Sequence, residues 1–212
     1  MNKWGTLICK NQGLNAVFIM DYHFKYCNFE GFYYIDNDSI DNSLDVVKAY
    51  AHVYNRKIIT KKTNNDGALT QARLKTDVMR ELFNYYNADV VFPVDCDMLW
   101  IIDDKILERT RNHVTEGFCA FNYHFYVDYI SYYNIFAKAM VNELNESLLT
   151  NVDTFLNYKY CFWNYLRYKS DQPNTIKAVL FKEGKYLTYF EGDHQAFDEN
   201  DRGLKTIGYQ DC

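Results

Sequence analysis

Apolar and polar residues alternate in blocks along the first hundred positions. Residues 6–9 (T-L-I-C) predict a first strand, followed by the polar loop K-N-Q-G at 10–13. Leu14, Val17, Phe18 and Tyr22, with Tyr26 beyond, recur at helical spacing over 14–27. Residues 31–35 (G-F-Y-Y-I) read as a second strand that opens into the polar cluster D-N-D-S-I-D-N-S. Asp41 or Ser43 in that cluster is placed to cap a helix over 44–54. A weak third strand (R-K-I-I-T, 56–60) and an Asn/Lys-rich loop lead to the clearest helix, 68–86. Its stripe is Leu69, Ala72, Leu74, Val78, Met79, Leu82 and Phe83. It delivers the chain to Val90, Val91, Phe92 and Val94, an unbroken apolar run of the kind that fills a buried strand.

Strands and helices taking turns in this way predict an α/β fold: a central, mostly parallel, twisted sheet flanked by helices. Ligands of such sheets bind at the carboxyl ends of the strands, where strand order reverses. The polar loops after Cys9, Ile35 and Val94 all fall on that edge.

The central strand ends in Asp95-Cys96-Asp97. In an extended backbone the two carboxylates face one way, and they repel unless a cation lies between them. Hard divalent ions such as Mg2+ and Mn2+ take such oxygen ligands and keep positions open for phosphate oxygens. Asp is also common in turns, and D-x-D alone reads as the opening of a loop. Apolar flanks on both sides, with Met98-Leu99-Trp100 behind, favour a metal–diphosphate site.

The second half is less periodic. A short helix is expected over 103–112, a strand over 117–121, and helical structure over 131–168. Residues 176–181 and 186–190 read as a hairpin turning near Glu183-Gly184, and the tail from Gly192 as a polar loop. With no repeat and no Pro/Gly-rich linker, the 212 residues predict one domain. The abrupt ending is also compatible with a piece of a longer chain.

Composition narrows the function. A net charge of −5 argues against a broad nucleic-acid surface, and no K/R-rich block offers a membrane anchor. No apolar run reaches the roughly 20 residues of a transmembrane helix, and the start lacks a signal-peptide pattern. Aromatics at 18 % suit stacking on bases or sugars as well as core packing. The six dispersed cysteines predict reduced thiols in a cytosolic compartment, with Cys96 pointing into the core.

Four motifs, in order and spacing, resemble the GT-A glycosyltransferases of the family-2-like branch over most of the first 130 residues. Leu7-Ile8-Cys9-Lys10-Asn11 is similar to the first strand and its "NE" loop, with Gln12 where the family has Glu. Residues 32–41 (F-Y-Y-I-D-N-D-S-I-D) resemble the second-strand signature. Residues 67–73 (G-A-L-T-Q-A-R) resemble the "G-x-x-x-A-R-N" helix, with Leu74 replacing Asn. Val94-Asp95-Cys96-Asp97 matches the D-x-D position. The family has members this short, including the leading domain of a glycosyltransferase of large algal viruses; the expected location is cytoplasmic, in a host cytoplasm if the chain is viral.

The resemblance implies a UDP-sugar donor bound with Mn2+ or Mg2+, residues 1–100 holding the donor and 101–212 the glycan or glycoprotein acceptor. Asn11, Asp36, Asn37 and Asp38 would line the nucleotide, although a capping loop explains the acidic cluster equally well. Asp95 would touch the ribose or a metal-bound water, and Asp97 would ligate the ion. His194, or Asp193 beside it, would add a third ligand, against the plain reading of a surface-loop histidine. Arg73 would neutralise diphosphate or brace the aspartates, or else be an exposed helix arginine. If the reaction inverts configuration, Asp128 is the expected general base, with Asp153 and Glu191 in reserve; retention requires none. Tyr123, Phe125, Tyr126, Trp163 and Tyr165 offer stacking faces, and His23, His52, His113 and His124 read as structural.

Two other classes compete. A nucleotidyltransferase would need a Gly-rich, basic loop after the first strand, where this chain has only Gly13. A non-catalytic carbohydrate-binding protein would leave Asp95 and Asp97 without a purpose.

Overall fold

The computed structural model describes residues 1–64, 68–96, 98–100, 102–114, 116–122, 125–127, 166–168, 175–190, 195–204 and 206–207. At 68–70, 121–122, 125–127, 166–168, 175–176 and 206–207 the backbone alone is described. The first hundred residues run β1 (Lys3–Cys9), α1 (Gly13–Tyr26), β2 (Gly31–Asn37), α2 (Ser43–Val53), β3 (Ile58–Thr63), α3 (Ala68–Tyr85) and β4 (Val90–Val94), the predicted alternation. Beyond them come α4 (Asp104–His113), β5 (Gly117–Asn122), β6 (Phe125–Val127), β7 (Leu166–Tyr168), β8 (Thr175–Phe181), β9 (Thr188–Phe190), β10 (Gln195–Phe197) and β11 (Thr206–Ile207).

The main sheet has the order β11-β5-β8-β4-β1-β2-β3. Strands β3, β2, β1 and β4 are mutually parallel, and β8 runs antiparallel to both β4 and β5. The chain steps outward from β1 to β3 and then crosses back to place β4 on the other side of β1. That reversal is the point where α/β sheets open a crevice for ligands.

Both faces of the sheet are covered, because successive strand residues point to opposite sides. Phe32, Tyr34, Phe92 and Val94 pack with Val17 and Phe18 of α1 and Val47 of α2. Tyr33, Ile35 and Val91 pack with Val78, Met79, Leu82 and Phe83 of α3. Gly5 is required by this packing: a Cβ there would lie 2.2 Å from the Phe32 ring, which crosses over the bare backbone.

Three expectations for the second half are corrected. Strand β8 forms no hairpin with β9; it inserts between β4 and β5, while β9 pairs with β10. The reason is visible in burial: Ala178, Val179, Leu180 and Phe181 are all fully buried, as in a strand with neighbours on both edges. In β9 only Tyr189 is buried, and its backbone N–H donates to Thr76 Oγ1 at 3.0 Å, docking the small ribbon on α3. The tail is not all loop, since residues 195–197 and 206–207 are the strands β10 and β11. Residues 166–168, expected to be helical, pair antiparallel with β6, a distant contact that local periodicity cannot register. The remainder of the expected helical stretch, 131–165, lies outside the described residues. No helix among the described residues is long and apolar enough to cross a membrane.

Gly5→Ala should lower stability by about 1–3 kcal/mol in urea unfolding, because Phe32 can yield only by disturbing a packed core. An unchanged midpoint would mean that the ring has room to move.

Candidate functional site

The parallel ladder between β1 and β4 stops at the Leu7–Val94 pair. On the other side of β1 the ladder with β2 continues to Cys9–Asp36. Two residues past the end of the first ladder, Cys9 and Cys96 are joined as a disulfide across a Cα–Cα separation of 6.7 Å. This corrects the expectation of reduced thiols for Cys9 and Cys96, and of a core-facing Cys96: equal overhangs from one register pair bring the two side chains together, although 87 residues separate them in sequence, while Cys161 and Cys212 lie outside the described residues. Cys27 and Cys119 are buried thiols, each pushed up to about 11 by desolvation. The β1–β2 register sets Asp36 beside Cys9, and Asp95 precedes Cys96 in the chain, so both acidic strand ends flank one covalent link.

The loop after β2 is tied to the loop after β1 by hydrogen bonds. Asp36 is buried, and its Oδ1 accepts from the Ser39 N–H at 2.8 Å, closing the turn. Ser39 Oγ accepts from the Asn11 N–H at 2.9 Å, and Asn11 Oδ1 accepts from the Ile40 N–H at 3.0 Å. Asn11 and Asp38 both adopt left-handed backbone, φ 53° and 56°, which Asn and Asp tolerate better than most residues. Asp38 is exposed, while Asn37 Oδ1 is buried with no hydrogen-bond partner among the described residues. A buried acceptor left open is costly, and it is a natural place for a donor N–H or O–H of a ligand. Of the two cap candidates, Asp41 accepts from the Ser43 N–H at 3.0 Å. Ser43 Oγ instead accepts from the Gly13 N–H at 2.9 Å. A Cβ on Gly13 would lie 2.6 Å from the Ser43 Cα, so this contact of helix starts needs glycine.

At the end of β4 the backbone does not stay extended. The Met98 N–H donates to the Asp95 carbonyl at 3.1 Å, and the chain enters a turn at Cys96; Asp97 lies outside the described residues. Asp95 is half-buried between two lysines: Lys75 Nζ lies 3.5 Å from Oδ1 and Lys177 Nζ 2.6 Å from Oδ2. Both lysines are almost fully buried, at 3% and 5% exposure. Burial opposes ionisation of Asp95, but the two ammonium groups outweigh it and hold the carboxyl below the usual range.

Neither lysine was singled out from sequence, though each left a signal. Lys75 falls on the apolar stripe of α3, one turn from Ala72 and Val78, where a solvated charge has no place. Lys177 interrupts an otherwise apolar strand, and counting three residues on from the Val91–Leu180 pair sets it level with Val94. Arg73, expected to brace the aspartates, is exposed. It is Lys75, two residues along the same helix, that reaches Asp95.

The turn is anchored behind by Trp100. Its backbone N–H donates to His23 Nε2 at 3.1 Å, and its indole N–H to the Pro93 carbonyl at 2.8 Å. The Trp100 carbonyl accepts from the Cys27 thiol at 3.3 Å. His23 is fully buried, and its Nδ1–H donates to the Ile19 carbonyl at 2.7 Å, which leaves Nε2 as the acceptor. Desolvation lowers its pKa to about 4, against the raising effect of the Ile19 bond.

Among the described residues no three of His, Cys, Asp or Glu converge on a metal position. Of the expected ligands only Asp95 is among them, and a divalent ion would have to displace an ammonium from one of its oxygens; the described donor set does not by itself fit the ion. Asp97, Asp128, Asp153, Glu191, Asp193 and His194 lie outside the described residues, as do Tyr123, Trp163 and Tyr165. Phe125 and Tyr126 are placed by backbone only.

No family model matches the chain, and no curated protein matches it. Among solved structures it is similar to S. aureus TarS 1-349, with TM-score 0.40 and 15% identity, covering 57% of this chain and 35% of that one. It is also similar to the mannosyltransferase PcManGT from Pyrobaculum calidifontis in complex with GDP-Man and Mn2+. There the TM-score is 0.42 and the identity 14%, over 56% of this chain and 34% of that one. A third, 4-diphosphocytidyl-2C-methyl-D-erythritol synthase, gives TM-score 0.41 and 8% identity over 87% of this chain and 76% of that one. The chain spans about a third of the length of the first two. These likenesses are distant, and the functional reading rests on the site itself.

The neutral His23 has a consequence for stability. Between about pH 6.5 and 4 the unfolded chain binds a proton that folded His23 refuses, so stability falls as pH falls through that window. Relative to His23→Gln, wild type should lose on the order of 3 kcal/mol between pH 7 and 4, measured by denaturant unfolding. Parallel pH curves for the two proteins would contradict a buried, neutral imidazole.

Proposed function

We propose that this chain is a glycosyltransferase of the GT-A kind, moving a hexose or deoxyhexose from a UDP-sugar to a glycan or glycoprotein acceptor. The observation that carries the reading is the convergence of the Asp36 and Asp95 strand ends on the Cys9–Cys96 link, at the carboxyl edge where strand order reverses. The open Asn37 Oδ1 supports a nucleotide there, since uracil N3–H and the ribose hydroxyls are donors of the required kind. In this reading Asn11, Asp36, Asn37 and Asp38 form the nucleoside side of the crevice, and Asp95 and Asp97 the diphosphate side.

Cleaving a sugar–diphosphate bond builds negative charge on the leaving group, which fixed cations at the site stabilise. Lys75 and Lys177 stand at the strand edge for that role, both aimed at the Asp95 carboxylate and held there by burial. Mn2+ or Mg2+, the resemblance's cofactor, would add Lewis-acid neutralisation of the same charge, and its retention would depend on Asp97 and His194. Residues 101–212 would receive the acceptor within the same domain. For an inverting reaction, Asp128 would take the proton of the attacking hydroxyl.

Calorimetric titration of UDP, GDP and CMP, each with Mn2+ and with EDTA, tests the reading. UDP is expected to bind in preference to the other two. Lys177→Met should weaken UDP by about tenfold or more, as expected for loss of a charged contact. Asp97→Ala should abolish any Mn2+-dependent part of the affinity. Failure of all three nucleotides to bind would end the glycosyltransferase reading in favour of a carbohydrate-binding protein. Tighter binding of UTP than of UDP, with UTP titrated in the same way, would favour the nucleotidyltransferase.

A further inference from the structure

We propose that the Cys9–Cys96 disulfide is a redox gate on the nucleotide crevice, an inference that rests on the donor-site reading above and adds regulation to it. The bridge stands where the β1–β4 ladder has ended, and it covalently joins the last residue of β1, still paired with Asp36 of β2, to the turn after β4, so that its two ends carry different parts of the candidate site. On one side is the β1 loop, held to the nucleoside side through Asn11, Ser39 and Ile40. On the other is the Asp95 turn, held by Lys75, Lys177 and the Trp100 anchor. With the bridge closed, the two sides keep a fixed spacing. With it open, each is held only by its own partners, and part of the cost of assembling them falls on the ligand.

The two cysteines differ in exposure, which gives the exchange a direction. Cys9 is 4% exposed, whereas Cys96 is half-buried on the turn. A dithiol reductant, protein or small molecule, attacks Cys96 Sγ through its thiolate. The disulfide bond breaks, and Cys9 leaves as a thiolate that takes up a proton. The reductant's second thiol then closes a disulfide on the first, releasing Cys96 as a thiol. Two electrons pass from the dithiol to the bridge, and reoxidation by a disulfide of suitable potential reverses the sequence. Cys27 and Cys119, buried in the two cores, are not placed for such exchange.

The test uses the full chain in two states. One is oxidised, with the Cys9–Cys96 link verified by non-reducing peptide mapping; the other is reduced with a dithiol and desalted under nitrogen. UDP is titrated into each, with and without Mn2+. The reduced form should bind about tenfold more weakly, and reoxidation should restore the affinity. The double variant Cys9→Ser/Cys96→Ser should match the reduced form whatever the redox treatment. Should that variant fail to fold, the reversible cycle on wild type still decides the matter. Equal UDP affinity in both verified states would overturn the gate while leaving the donor site standing. So would failure of the bridge to form at any dithiol-to-disulfide ratio. UDP binding in neither state would remove the donor-site reading and the gate together.

Discussion

The parallel ladder between β1 and β4 runs out at Leu7 and Val94, and the candidate site is built from what the two chains do next. A parallel sheet must release its strands at the carboxyl edge, where backbone groups lose their ladder partners and need others. Here the β4 chain turns back on itself through the Asp95–Met98 hydrogen bond, and the β1 chain bends through left-handed Asn11 into α1. The disulfide bridges the gap that opens between them. Because the neighbouring β1–β2 ladder extends to Asp36, the same link aligns the second acidic strand end with the first.

Electrostatics at this edge follow from burial. Two lysines with almost no solvent access would be untenable without negative charge nearby, and Asp95 supplies it to both. The arrangement assembles charges of opposite sign from α3, β4 and β8, three elements far apart in the chain. Behind them the neutral His23 and the Trp100 hydrogen bonds hold the turn from the opposite face of β4, so a rigid backing lies under a polar rim. Such a rim at a strand-order reversal suits a ligand that carries both a hydrogen-bonding ring and concentrated negative charge.

Much of the first hundred residues was legible because each element wrote its own periodicity: the stripe of α3 and the apolar run of β4 needed no partner to be recognised. The carboxyl-edge loops followed from that alternation alone. What could not be read depended on long-range contact. The pairing of Cys9 with Cys96 becomes visible only once the Leu7–Val94 register is known. Lys75 and Lys177 are charges in apolar segments, and their shared partner Asp95 becomes evident only once α3 and β8 are set beside β4. The insertion of β8 between β4 and β5 was missed because a short turn at Lys182–Gly184 looks the same whether the next strand pairs back or moves away. The Asp95–Met98 hydrogen bond was also hidden, since Asp suits extended and turned backbone alike.

A uridine nucleotide bound at the carboxyl edge between β1 and β4, as proposed, would be caught there by photoaffinity labelling. A 5-azido-uridine diphosphate probe, photolysed on the full chain and mapped by mass spectrometry, should label the peptide carrying Asp36–Ile40, with labelling suppressed by excess UDP. The contrary result would be UDP-protected labelling at the opposite edge of the sheet, around the depression lined by Met1, Glu108, Arg111 and Glu183, with none near Asp36.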